Sequence, residues 1–505
     1  MKKLWPLAFL LAGCTVGPNY REPSFIIPPR YRALPADNKT EAPLSAPTPA
    51  EADLSTWWMQ FGDTKLQKLI DRALKANPDL LTAGSRVREA REQEIVAGAK
   101  GLPQVNANGA TLHLHSNSNI VSALAGGGGG SSGGSAPASG TTNLRLYSAG
   151  FDATWEADIF GGVRRGIEAA DRNTQATVWQ MRDGEVSLTA EIAADYFALR
   201  ALQTRIVLLK DVAKHQRDLL ALVAAKARLG FVTQLDVNQQ DALTTATDAQ
   251  IPQLEAEARV QEYAIAVLMG ETPEAMIDEL ERPMPAVTMP TSMPIGLPSD
   301  LLRRRPDVRA AERKLASATS SVGVAVADLY PKFDLIGGAS FSGPRLGNLI
   351  SNGNLGEFGL GAIVWPIFHG GQIQANIRAK EEERKQAYFA YQKAVLAAVQ
   401  DVEGALTRYT TEQRRLTSLS ATADSDKSSV EIAQQQYRAG TVAYVSVLTA
   451  QANYLNARDQ MEQSRQAFAT DLVSVYKALG GGWSETPTIE MKDASDSAIA
   501  SARKK

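Results

Sequence analysis

The sequence predicts a mainly α-helical chain that also carries membrane-type β-strands, built from two copies of one unit. Corresponding motifs recur at fixed spacings through most of the 505 residues. Two long stretches, about 163–229 and 372–438, have helix-forming composition throughout. The interior has no apolar run near the ~20 residues that a membrane-spanning helix needs, so any passage through a bilayer falls to strands, and two pairs of short segments alternate in the required way.

Bulk composition narrows the function. Hydrophobic residues make up 44% and charged residues 21%, which is not the profile of a disordered chain. The formal net charge is −2 with no block of like charge, which argues against nucleic acid as a partner. Cys14 is the one cysteine, so disulfides within the chain and cysteine-based metal sites are excluded.

The N-terminus reads as an address followed by an anchor. Met1-Lys2-Lys3 gives a positive start, Leu4 to Leu11 an apolar stretch, and residues 1–13 together form a signal peptide. Leu11-Ala12-Gly13-Cys14 resembles the bacterial lipobox, in which the cysteine is lipidated and becomes the first mature residue. A chance buried cysteine behind an ordinary signal peptide is the competing reading. Acyl chains at ~0.8 kcal/mol per buried CH₂ would hold Cys14 in a leaflet. Thr15 stands where an aspartate marks inner-membrane retention in many such lipoproteins, which points to the outer membrane. Residues 14–56 are proline-rich and read as an extended strap.

The duplication organises the rest. Pro78-Asp79-Leu80 is echoed 228 residues on by Pro306-Asp307-Val308, and Pro103 by Pro331. Each Pro-Asp suits a first helical turn, for its fixed φ and for the helix dipole. Later parts match at a spacing of 210, with Arg228-Leu229-Gly230 on Arg438-Ala439-Gly440. Between them Ile159-Phe160-Gly161-Gly162 echoes Ile367-Phe368-Gly370-Gly371, with His369 read as an insertion. The first repeat is expected at 57–280, with strands about 103–156 and a helical hairpin 163–270. A linker at 281–298 leads to the second repeat, 299–483, with strands about 331–367 and a hairpin 372–480, and then to a flexible tail at 484–505.

Within the strands, Tyr147, Ala149, Phe151, Ala153 and Trp155 alternate with Ser148, Gly150, Asp152 and Thr154. Phe333, Leu335, Gly337, Ala339 and Phe341 do the same in the second repeat. Lipid on one face and a wet lumen on the other would give this pattern, as would a half-buried soluble sheet. Gly126 to Gly130 with Ser131 to Gly134 reads as a flexible loop, since the Gly-Lys-Ser/Thr of a phosphate loop is missing.

In the helical stretches Ile192, Tyr196, Leu199, Leu202 and Ile206 lie 4, 3, 3 and 4 apart, and Val395, Val399, Val402, Leu406 and Tyr409 lie 4, 3, 4 and 3 apart. These are narrow coiled-coil-like seams. Gly230 and Gly440 end the runs and a return helix follows each, with Pro252 expected to kink the first.

Two hairpins give four strands per chain, fewer than the smallest closed membrane barrels of about eight. An open edge cannot face lipid. Other copies must supply the missing strands, and a trimeric 12-stranded barrel is the natural closure, an eight-stranded dimer having a bore filled by side chains.

With these features in place, the chain resembles the TolC-type outer-membrane factors, in particular the NodT-like lipoprotein branch that serves RND efflux pumps. The resemblance rests on Gly13-Cys14-Thr15-Val16-Gly17-Pro18-Asn19-Tyr20, Trp57-Trp58 with Phe61 and Asp63, Asn77-Pro78-Asp79-Leu80, Leu302-Arg303-Arg304-Arg305-Pro306-Asp307 and Leu479-Gly480-Gly481-Gly482-Trp483. It implies a homotrimer in outer-membrane lipid, its barrel continued by a long periplasmic α-helical barrel. It further implies a periplasmic adaptor (membrane fusion) protein and an inner-membrane RND transporter as partners, and passive conduction with no enzyme activity.

The resemblance also implies a gate at the periplasmic tips, with Gly230, Asp236, Tyr437, Arg438, Gly440, Tyr444, Ser446 and Thr449 as its candidates. Many relatives carry aspartates where Ser446 and Thr449 stand, and some a basic residue at Val442, so closure here is expected to rest more on packing. No catalytic constellation, metal site or cofactor is expected beyond the covalent lipid on Cys14; His113 and His115 share a strand face but lack a third ligand. Two alternatives remain: the exit duct of a type I protein secretion system, and a structural coiled-coil surface protein.

Overall fold

The computed structural model describes residues 15–26, 28–33, 46–48, 53–116, 142–281, 289–296, 298 and 301–484. Cys14, the signal peptide, the Gly126 to Gly134 loop and the tail beyond residue 484 lie outside the described residues.

A short strand at 46–48 and a 3-10 turn at Trp57–Phe61 precede helix α1 (Thr64–Ala76), in whose first turn the Lys65 and Leu66 N–H groups donate to the Asp63 carboxylate. Two copies of one series follow. The first runs α2 (Pro78–Ala99), β1 (Gln104–Ser116), β2 (Thr142–Glu156), α3 (Gly162–Arg228) and α4 (Gln234–Leu268). The second runs α5 (Pro306–Ala327), β3 (Lys332–Gly343), β4 (Leu355–Val364), α6 (Gln372–Arg438) and α7 (Tyr444–Ala478). α3 and α6 each run unbroken for 67 residues. α4 contains Pro252 within one continuous helical span.

Equivalent positions make equivalent bonds in the two copies. Trp155 Nε1 donates to the Gly101 carbonyl at 3.0 Å and Trp365 Nε1 to the Leu329 carbonyl at 3.1 Å. Asn77 Nδ2 donates to the Leu268 carbonyl at 2.9 Å, and Arg305 Nη1 to that of Ala478 at 3.1 Å. These pairs fix the true spacing at 228 through the first strands and 210 from the second strands onward. The echo of Ile159-Phe160 by Ile367-Phe368 is therefore out of register, and His369 is no insertion, because α3 and α6 begin at Gly162 and Gln372.

The described residues form two compact units that do not follow the repeats; each draws on both copies. The first unit lies within residues 1–21, 90–173 and 315–387 and holds one antiparallel sheet in the order β1-β2-β3-β4. Register sets its faces. Val105, Phe151, Ala153, Trp155, Leu335, Ala339 and Ile363 share one face, and Asn106, Asn108, Asp152, Thr154, Asp334 and Ser340 share the other. On the polar face Asn106 Nδ2 and Asn108 Nδ2 both donate to the Asp152 carboxylate, at 3.1 and 2.6 Å. β4 departs from the alternation, since Phe358, Leu360 and Val364 place apolar groups on the polar face; Gly338 leaves room for the Phe358 ring. Among the described residues nothing covers the apolar face at Phe151, 63% exposed, or at Ile363, 67% exposed.

The start of the strap belongs to this unit. Val16 N–H donates to the Phe160 carbonyl at 3.1 Å, and Arg165 donates to the Val16 carbonyl and the Asn19 side chain. Gly17 lies so close to Gly323 that a Cβ would come within 2.5 Å of its Cα.

The second unit lies within residues 22–89, 174–314 and 388–505 and holds the main core. Trp57 stacks on Tyr476 with ring centroids 5.0 Å apart, and Phe61 packs on Phe197. Tyr196 donates its hydroxyl proton to Asp63 at 2.7 Å, so the residue that caps α1 also ties it to α3. The seam residues Ile192, Tyr196, Leu199 and Leu202 of α3 and Val395, Val402, Leu406 and Tyr409 of α6 are all buried. Each fully buried side chain of this size stabilises the fold by about 1.5–3 kcal/mol. Among the described residues no helix is long and apolar enough to cross a membrane.

Candidate functional site

The candidate gate residues sit at the ends of the two helical hairpins, all within the second unit. Gly230 ends α3 at φ +78° and Gly440 ends α6 at φ +72°. The hydrogen bonds match. Gly230 N–H donates to Ala227 and Phe231 N–H to Lys226; Gly440 N–H donates to Tyr437 and Thr441 N–H to Gln436. Both are Schellman turns, which need a left-handed residue after the helix and so favour glycine. Nothing lies within 4 Å of a Cβ built on either glycine, so backbone conformation alone selects the residue type.

The return helices start differently. Thr233 Oγ1 accepts from Asp236 N–H at 3.3 Å, while the Asp236 carboxylate accepts from Thr233 N–H at 2.9 Å and from its hydroxyl at 2.8 Å. This is a complete capping box. It engages Asp236 at the helix start. In the second hairpin Ala443 and Ser446 hold the equivalent places, and no side chain caps the helix. Ser446 and Thr449 are exposed, and the Thr449 hydroxyl donates to the Val445 carbonyl at 2.9 Å. Arg438 is exposed as well.

Tyr437 and Tyr444 come together, their ring centroids 5.0 Å apart, with Lys226 Nζ 5.4 Å from the centre of the Tyr437 ring. They form a small core of their own with Val223, Val447 and Leu448, apart from the main one. Burial and the Asp236 charge hold the Tyr437 phenol above the usual tyrosine range. Burial does the same for Tyr444, helped by Tyr437 and Asp236. Both phenols stay neutral. The Tyr437 hydroxyl is buried with no hydrogen-bond partner among the described residues.

The sequence reading missed Gln240. Its Oε1 accepts from the Tyr444 hydroxyl at 2.7 Å, joining the second hairpin to the first. Its Nε2 donates to the Gln216 carbonyl at 3.1 Å and to Thr244 Oγ1 at 3.3 Å. Gln240, Thr244 and Thr247 are buried and spaced 4 and 3 along α4, ahead of Leu254 and Ala258 on the same seam. Polar residues at seam positions were the available signal, because a buried amide needs a partner.

Outside this polar core the tips differ in surface. Leu229, Phe231 and Leu235 are exposed at the first tip, where the second carries Ala439, Thr441 and Val445.

A family model described as outer membrane efflux protein matches residues 69–271 and 297–481, one segment in each repeat. The chain is similar to the pyoverdine export outer membrane protein OpmQ of Pseudomonas aeruginosa, 31% identical over 479 residues that cover 94% of this chain and 95% of that one. It is similar to nodulation protein T of Rhizobium leguminosarum bv. viciae, 27% identical over 497 residues covering 98% and 96%. It shares the fold of the solved outer-membrane channel OprN, with a TM-score of 0.80 at 32% identity over 93% of this chain and 100% of that one. The chain thus belongs to the outer membrane efflux protein family, the outer-membrane channels of tripartite efflux pumps.

Proposed function

We propose that three copies of this outer-membrane channel close one twelve-stranded barrel, and that their helical hairpins continue the duct through the periplasm. The protein then catalyses no reaction. It passively conducts drugs or other small molecules delivered by a periplasmic adaptor and an inner-membrane RND transporter, which supplies the energy. Cys14 carries the lipid that fixes the strap in the outer membrane.

One observation carries the trimer: a four-stranded sheet with one largely apolar face and both edges, β1 and β4, unpaired among the described residues. In hydrocarbon each unsatisfied backbone group costs several kcal/mol, so the edges must find partners. The gate belongs at the tips. With Asp236 held in its capping box and Ser446 and Thr449 uncharged, closure rests on packing around Tyr437 and Tyr444 more than on acidic side chains.

Native mass spectrometry from mild detergent tests the assembly; an active monomer would refute it. Charge placed at Ser446 or Thr449 is expected to change single-channel conductance in planar bilayers, and unchanged conductance would remove both from the gate. Deletion is expected to raise drug accumulation, whereas loss of a secreted protein with unaltered drug accumulation would favour the type I secretion reading. Cys14→Ala is expected to abolish labelling by fatty acid.

A further inference from the structure

We infer that β4 of one copy pairs with β1 of the next in a single register, which sets Ala362 opposite Ala110 and Ile363 opposite Gly109 of the next copy. The inference rests on the trimeric reading and adds what that reading leaves open, namely which residues meet at the seam.

The template lies within the chain. β2 and β3 join the first repeat to the second, with Trp155 opposite Leu335, Ala153 opposite Gly337 and Asp152 opposite Gly338. A closed barrel must also join the second repeat of one copy to the first repeat of another, which is the same junction with the repeats exchanged. The equivalences are fixed independently. Gln104 pairs with Thr154 and Lys332 with Val364, and the two tryptophan bonds to Gly101 and Leu329 agree with that assignment. β4 therefore takes the place of β2 at a shift of 210, and β1 the place of β3 at a shift of 228. Carried across, the three pairs become Trp365 with Ala107, Ile363 with Gly109 and Ala362 with Ala110.

Two features outside that construction agree with it. Ala157 N–H donates to the Phe333 carbonyl at 2.8 Å, so hydrogen-bonded pairs fall on the odd-numbered residues of β2 and its extension, and Glu156 makes no ladder bond to β3. Pro366 holds the equivalent place at the open edge, where its missing N–H costs nothing. A slip of one residue would set bonding residues of one strand against non-bonding residues of the other and exchange the two faces of the strand. The register also sets small against large, Ala107 against Trp365 and Gly109 against Ile363, as Ala339 stands against Phe151 within the chain.

Ala362 and Ala110 form a non-hydrogen-bonded pair in this register, the closer of the two antiparallel geometries. Oxidation of an Ala110→Cys, Ala362→Cys double variant of the full chain in outer-membrane vesicles is expected to give disulfide-linked dimers and trimers on non-reducing gels. Ala110→Cys combined with Leu360→Cys or with Val364→Cys, each two residues out of register, is expected to give several-fold less. A trimer by native mass with the strongest product at an offset pair, or with no product at any pair, overturns the register and leaves the trimer intact. A mass other than that of a trimer, measured on the unmutated chain, overturns both.

Discussion

At the first hairpin tip Gly230 ends one helix, and Thr233 and Asp236 cap the next with a reciprocal pair of hydrogen bonds. At the second tip Gly440 ends its helix with the same turn, but Ala443 and Ser446 leave the next helix uncapped by any side chain. The second tip is held by tertiary contact instead, with Tyr444 buried against Tyr437 and bonded to Gln240 of the first hairpin. One tip carries its lock in local sequence; the other borrows it from its neighbour. A borrowed lock can be released by moving one hairpin against the other, which the self-contained one does not allow.

The largest test of this contrast is Tyr444→Ala. Loss of a buried aromatic costs about 3–5 kcal/mol in a well-packed site, and the loss should appear as faster amide exchange around Tyr444 to Thr449. The Schellman turn at Gly230 should keep its protection. Equal deprotection of both tips would mean that the two are locked together.

A finer change is Tyr444→Phe, which leaves Gln240 Oε1 buried and unpaired at about 1–3 kcal/mol. Adding Gln240→Met should recover part of that loss, and a double-mutant cycle without coupling would show that the bond contributes nothing. Exchanging the caps sharpens the comparison further. Thr233→Ala should cost the first tip about 0.5–2 kcal/mol, while Ala443→Thr with Ser446→Asp should stabilise the second by a similar amount. Exchange rates at the starts of α4 and α7 decide the matter.

A smaller difference between the repeats lies higher on the hairpins, where α3 carries Asp195 and α6 the buried Ala405 at the equivalent place. Burial, with Glu191 nearby, pushes the Asp195 carboxyl from 3.8 up to about 6. Below pH 3.8 the folded and unfolded forms are both protonated. As pH rises from there to about 6, only the unfolded form gives up its proton freely, so stability falls across that window. Asp195→Asn should flatten the melting temperature between those pH values and raise it above pH 6 relative to the unaltered chain.

Much of the fold was legible because its signals are local and periodic. The seam from Ile192 to Leu202 showed its spacing before its burial, and Gly230 and Gly440 showed themselves as turn residues because φ alone selects them. Similar residues misled where geometry was needed. Ile367-Phe368 looked like the partner of Ile159-Phe160, yet strand pairing and the two tryptophan bonds shift the true match by two residues.

By itself the sequence determined the duplication, the helical hairpins, the strand character of the alternating segments and the family resemblance, all of which depend on neighbours in the chain or on period. Only the tertiary structure decided that the compact units mix the two repeats and that Gln240 receives Tyr444. Each of those depends on which atoms meet across more than a hundred residues or on which of several donors a side chain reaches, and no local pattern encodes that choice.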